Sequence, residues 1–167
     1  MATLVDTGIL LRAFDATFLD YRTIREALRK SLEDGERVVV TVQNMAEFWN
    51  VATRPLDKNG HGLSAERVKQ RVAIIERLCE VVSEDSHSYA QWKRIVDELG
   101  VSGVSVHDAR LVAVMLRLGL QKLLTLNPGD FRRYQSEGIE VLTPQSFWKR
   151  AGRTACHEYL SFPTRTR

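Results

Sequence analysis

ATLVDTGILL, residues 2–11, decides the fold, because a short apolar run meets an acid at Asp6 and turns at once into a second apolar run. Residues 2–5 read as a buried strand, and Asp6, Thr7 and Gly8 lead into a helix through Ile9, Leu10 and Leu11. The same alternation continues outward. Tyr21, Ile24, Leu28 and Leu32 recur at helical spacing between Leu19 and Asp34, and Gly35 supplies a stop. RVVVT, 37–41, is a β-branched strand, and QNMAEFWNVATRP a helix from about Gln43 that ends before Pro55. LDKNGHG, 56–62, is a loop by composition, and Ser64 caps a helix with its stripe at Val68, Val72, Ile75 and Leu78.

EVV, 80–82, is a third strand, followed by a helix carrying Tyr89, Trp92, Val96 and Leu99 that closes at Gly100. ARLVAVMLRLGL, 109–120, is apolar on nearly all sides and marks a buried helix. LLTL, 123–126, and IEVLT, 139–143, complete about five strands before Pro144 opens a last short helix. Strands alternating with helices predict an α/β fold, a doubly wound and mostly parallel sheet with helices on both faces. Residues 1–150 are expected to form one domain, and 151–167, rich in arginine and without a period, a basic tail.

The hydrophobic fraction of 44% and charged fraction of 27% are those of an ordinary globular protein and argue against disorder. No apolar run approaches the roughly 20 residues that span a bilayer, and the first ten residues lack a basic n-region. A cytoplasmic location is the default expectation. Cys79 and Cys156 have no zinc-like spacing, and Cys79 falls on an apolar helical stripe. Net charge of +3 tolerates a polyanionic partner without demanding one.

Ligands of an open α/β sheet bind outside the carboxyl ends of its strands. Asp6 follows strand 1, Glu47 lies one turn into the helix after strand 2, Asp108 opens the buried helix, and Asn127 and Asp130 follow strand 4. Asp6 also reads as a simple helix cap, and Asp108 as the partner of Ser105 in a capping box. Glu47 is harder to account for in that way, since its neighbours pack inward and a buried charge needs a cation or a proton. Clustered carboxylates repel unless a cation neutralises them, and an all-oxygen donor set favours Mg²⁺ or Mn²⁺ over zinc. Such an ion polarises a phosphate and acidifies the attacking water, which points to phosphodiester hydrolysis.

Four stretches together resemble the PIN-domain nucleases, and among them the VapC-like toxins: LVDTGILL, QNMAEFWNVATRP, VSVHDARLVAVMLRLG and LLTLNPGDF, spread over about residues 2–147. The resemblance implies a Mg²⁺- or Mn²⁺-dependent endonuclease of single-stranded RNA, usually a homodimer, inhibited by a small antitoxin protein. It matches Asp6, Glu47 and Asp108 to the three principal metal-binding acids. The family's fourth acidic position is Asn127 here, an amide that adds no charge, and Asp130 matches a second acid of that motif.

Thr7 and Thr125 are candidates for holding a bound water or phosphate, although both hydroxyls also suit purely local roles. His107 beside Asp108 invites a general-base reading, yet a histidine at a helix entrance is more often structural. Arg22, Arg25 and Arg29 share one helix face that could follow an RNA backbone or simply be solvated. Trp49 and Trp92 could stack bases, but their place in apolar stripes favours core or dimer packing. Arg54 is a candidate only by its position before Pro55. Two rivals come from other classes. A receiver-type phosphoacceptor needs paired acids after strand 1, whereas Asp6 stands alone. A PIN-like scaffold that binds RNA or protein without cutting is suggested by Asn127.

Overall fold

The computed structural model describes residues 2–146. Five strands form one sheet in the order β3-β2-β1-β4-β5. They are β1 (Ala2–Val5), β2 (Arg37–Thr41), β3 (Glu80–Val82), β4 (Lys122–Leu124) and β5 (Glu140–Leu142). Every pairing is parallel, so each connection is a crossover. The helices are α1 (Thr7–Arg12), α2 (Tyr21–Glu33), α3 (Val42–Thr53), α4 (Ala65–Leu78), α5 (Ser86–Leu99) and α6 (Ser105–Arg117). Short 3₁₀ turns lie at Leu56–Lys58 and Arg132–Glu137.

Alternation along the strands divides the core into two layers. Leu4, Val39 and Leu123 point to one face and pack with Ile95 of α5 and Val112 and Met115 of α6. Val5, Val38, Val40 and Leu124 point to the other and meet α1, α2, α3 and α4 through Ile9, Ile24, Phe48 and Val68. Both faces of the sheet are therefore covered, which is why its strands are apolar on both sides.

The order of elements follows the sequence reading, with differences at their ends. α2 starts at Tyr21 rather than Leu19, and Leu19 is fully exposed. β4 is shorter than expected, so Thr125 and Leu126 lie past its end, although the Thr125 amide still donates to the Leu142 carbonyl at 2.9 Å. α6 begins at Ser105, four residues before the expected apolar run, and this places His107 and Asp108 inside its first turn. The Ser105–Asp108 capping box does not form. Val104 at the cap position is already helical, because amides of Val106 and His107 close tight turns onto Gly103 and Val104. Residues 144–146 are helical, as Pro144 suggested; the expected tail, 151–167, and Cys156 lie outside the described residues.

The start of α3 carries a cap that the sequence reading did not find. Thr41 accepts the Asn44 amide hydrogen at 3.1 Å, and the Asn44 side chain accepts the Thr41 amide hydrogen at 2.9 Å. Both residues are fully buried, so water cannot replace either bond. Thr41→Val should therefore lower unfolding free energy by about 1–2 kcal/mol, read from urea denaturation. A change well under 0.5 kcal/mol would mean the cap is redundant.

Candidate active site

From β1 the chain passes to β2 and β3 on one side and to β4 and β5 on the other. The crevice at such a reversal opens between the carboxyl ends of β1 and β4. Asp6 and Thr125 leave those two strands side by side, continuing the register in which Val5 pairs with Leu124. The Asp6 amide donates to the Leu124 carbonyl at 3.0 Å, and the Thr125 hydroxyl donates to Asp6 Oδ2 at 2.6 Å. That hydroxyl in turn accepts the Asn127 amide hydrogen at 3.1 Å. Asp6 occupies the cap position of α1, where its carboxylate faces the Thr7 and Gly8 amides without a well-formed capping bond, and its strongest bond is the one from Thr125.

Glu47 reaches the same end of the sheet from α3. Its two oxygens accept from different partners: Oε2 from the Thr7 hydroxyl at 2.7 Å, Oε1 from Gln43 Nε2 at 2.8 Å. Asn44 Nδ2 donates to the Thr7 hydroxyl at 3.1 Å, which fixes the direction of the Thr7 proton towards Glu47. Gln43 Nε2 also donates to the His107 carbonyl of α6 at 3.2 Å. Sequence reading missed Gln43 and Asn44; the signal for Gln43 was its position four residues before Glu47, on the same helix face.

Asp108 comes from the opposite layer, on the first turn of α6. Its carboxyl is pushed up to about 6, by partial burial first and then by the charges of Asp6, Asp130 and Glu47. The Asp6 carboxyl is also raised, chiefly by burial with a contribution from Glu47, while the Thr125 hydroxyl and the Thr7 amide pull the other way. All four acids thus act on one small region. Among the described residues none of the four forms an ion pair, and Arg110, close to Asp108 in sequence, is bound instead to Glu84 at 2.8 Å.

The donors that hold Asp6 and Glu47 are neutral hydroxyls and amides. They orient the carboxylates and leave the negative charge uncompensated, an environment that suits a hard divalent cation. As the side chains stand, no three acidic, histidine or cysteine groups among the described residues are close enough to hold one ion.

The remaining candidates divide. Thr7 and Thr125 are buried and committed to Glu47 and Asp6. Asp130 is exposed, and its amide donates to the Asn127 carbonyl at 3.1 Å across the Pro128–Gly129 turn. The Asn127 side chain is exposed and makes no hydrogen bond among the described residues. His107 is exposed, and its carbonyl is what the site uses. Arg29 is held by Glu26 and Glu33 of its own helix, and Arg25 donates to the Tyr21 hydroxyl at 2.7 Å, so the arginine stripe is partly self-compensated; Arg22 is exposed. Trp92 packs against the core with its Nε1 on the Val106 carbonyl at 3.0 Å, whereas Trp49 is 39% exposed. Arg54 is partly buried and ends α3. Two clefts among the described residues, one along the 56–63 loop and one between Tyr89, Trp92 and Arg110, are lined by none of the four acids.

Comparison with known folds agrees with this architecture. A chain of the VapBC2 complex from Rickettsia felis, bound to a promoter DNA fragment, superposes with a TM-score of 0.65 at 13% identity, covering 86% of this chain and 98% of that one. A toxin–antitoxin complex from Klebsiella pneumoniae gives 0.59 at 20% identity, over 85% and 97%. The sarcin–ricin loop cleaving toxin VapC20 of Mycobacterium tuberculosis gives 0.53 at 17%, over 72% and 86%. At such identities the likeness establishes the fold. No curated protein sequence matches. The PIN domain profile matches residues 3–137, which span Asp6, Glu47, Asp108 and Asp130; the chain belongs to the PIN-domain family.

Proposed function

We propose that this chain is a Mg²⁺- or Mn²⁺-dependent endoribonuclease acting on single-stranded RNA, and the toxin of a toxin–antitoxin pair. The observation that carries the reading is that Asp6, Glu47, Asp108 and Asp130 all lie towards one end of the sheet, where none of them forms an ion pair among the described residues. Asp6 and Asp108 would hold the ion, with Glu47 fixing it or orienting water and Asp130 adding charge. When bound, such an ion would supply positive charge to the scissile phosphate and acidify the attacking water. The chain's own contribution is orientation. Thr125 orients Asp6, and Thr7 and Gln43 orient both oxygens of Glu47.

Support for an RNA substrate and an antitoxin partner comes from the described activity of the Mycobacterium tuberculosis relative and from the complexes in which the other two occur. A homodimer is supported by the outward face of α3, where Val42 is 52% and Trp49 39% exposed with Ala46 between them. Residues at this spacing form one apolar stripe that the described residues leave exposed. Trp49→Glu should shift the protein to a monomer in sedimentation velocity runs at micromolar concentration; an unchanged dimer would exclude this face.

The competing reading, a PIN-like scaffold that binds without cutting, is favoured by Asn127 in place of a fourth acid on that turn. Incubating end-labelled single-stranded RNA with the protein, with Mg²⁺ or with a chelator, separates the two. Cleavage confined to the Mg²⁺ reaction is expected. Intact RNA in both, or equal cleavage in both, refutes the proposed activity.

A further inference from the structure

The two layers that supply the acids lie on opposite faces of the sheet, and Glu47 and Asp108 belong to different layers. Gln43 crosses between them. Its Nε2 carries two hydrogens and serves two acceptors, Glu47 Oε1 at 2.8 Å on its own helix and the His107 carbonyl at 3.2 Å on α6. A primary amide nitrogen can do both without adding a charge, and rotating the amide would set its oxygen against a carboxylate and a carbonyl. The orientation is therefore fixed by its surroundings. Gln43 is 6% exposed, and its Oε1 is buried without a partner, an unfavourable arrangement that is accepted to keep the nitrogen where it is.

We infer that Gln43 is a positioning residue: its side-chain amide ties α3 to the first turn of α6 and so sets where Glu47 stands relative to Asp108 for a divalent cation. This rests on the proposed metal site. Groups that orient a metal-binding carboxylate are typically worth about ten- to a hundredfold in affinity or activity. Gln43 reaches a turn immediately before Asp108, so its loss frees one acid in rotation and the other in separation. A residue that merely fills space would do neither.

The test uses Gln43→Met, which keeps the length and volume and removes both donors. Calorimetric Mn²⁺ titration of the whole chain is expected to show affinity weakened about ten- to a hundredfold. Hydrogen exchange on the metal-free protein is expected to show faster exchange in the first turn of α6, residues 105–108, with α4 unchanged. Ser64→Ala, which removes the α4 cap far from the acids, controls for a general loss of stability and should leave Mn²⁺ affinity within about twofold. Gln43→Met with wild-type affinity, or with unchanged exchange in α6, overturns the inference, as does an equal loss of affinity in Ser64→Ala. Wild-type protein that binds no Mn²⁺ overturns the metal reading itself, an outcome distinct from a wild type that binds and a Gln43→Met variant that binds equally well.

Discussion

Asp6→Asn is expected to reduce ion-dependent cleavage of single-stranded RNA by at least about a thousandfold, the scale of several kcal/mol of lost transition-state stabilisation. The substitution is close to isosteric, and an Asn oxygen can still accept the Thr125 hydroxyl that Asp6 Oδ2 now accepts at 2.6 Å. What disappears is one negative charge at the switch point of the sheet, in a carboxyl that is costly to bury and has no cationic partner among the described residues. Because that charge raises Asp108, removing it also relieves repulsion, and the metal-free variant should melt no lower than wild type. A folded Asp6→Asn protein that cuts within about tenfold of wild type would contradict the assignment of Asp6 to the ion.

The second large effect belongs to Asp108. Its carboxyl stands at about 6 in the folded chain, against the ordinary 3.8 that the unfolded chain recovers. The folded state therefore carries a penalty above pH 6, where Asp108 must ionise among like charges. That penalty shrinks as pH falls from 6 towards 3.8 and is absent below, where both states are protonated. The full shift would correspond to about 3 kcal/mol, and because Asp108 is only partly buried, solvent screening brings the expected value to about 1–2 kcal/mol. Metal-free Asp108→Asn should be more stable than wild type by that amount at pH 7.5 and indistinguishable from it near pH 4. Chemical denaturation at the two pH values checks this. An Asp108→Asn protein less stable than wild type at pH 7.5 would show that Asp108 serves the fold, as a helix-start acid would.

Asp6 and Asp108 stood out in the sequence because each lies at the start of a helix, and Glu47 because its neighbours on the helix pack inward. The order of elements was legible because Gly35, Pro55 and Gly100 punctuate a regular alternation of periods. Gln43 and Asn44 were not. Amides at a helix start usually face water, and their burial here follows from α6 passing across the end of the sheet, a contact 64 residues away for Gln43. The start of α6 was misplaced because SVHD lacks apolar periodicity, and its helical turn is closed by backbone bonds onto Gly103 and Val104. Trp49 shows the converse: an aromatic in an apparently apolar stripe that the fold leaves at the surface. Asp130 was legible as an acid after β4; its action on Asp108 depends on how the Asn127–Asp130 turn folds back.

Burial and the acids around it hold the Asp108 carboxyl partly protonated near pH 6, so a divalent cation taking up its charge would have to displace that proton. Calorimetric titration of the wild-type chain with Mn²⁺ at pH 6, in two buffers of different ionisation enthalpy, measures that proton directly. Saturable binding with a fraction of a proton released per ion is expected, with a smaller release in Asp108→Asn. Absence of binding, or binding with no dependence on the buffer, would contradict this reading.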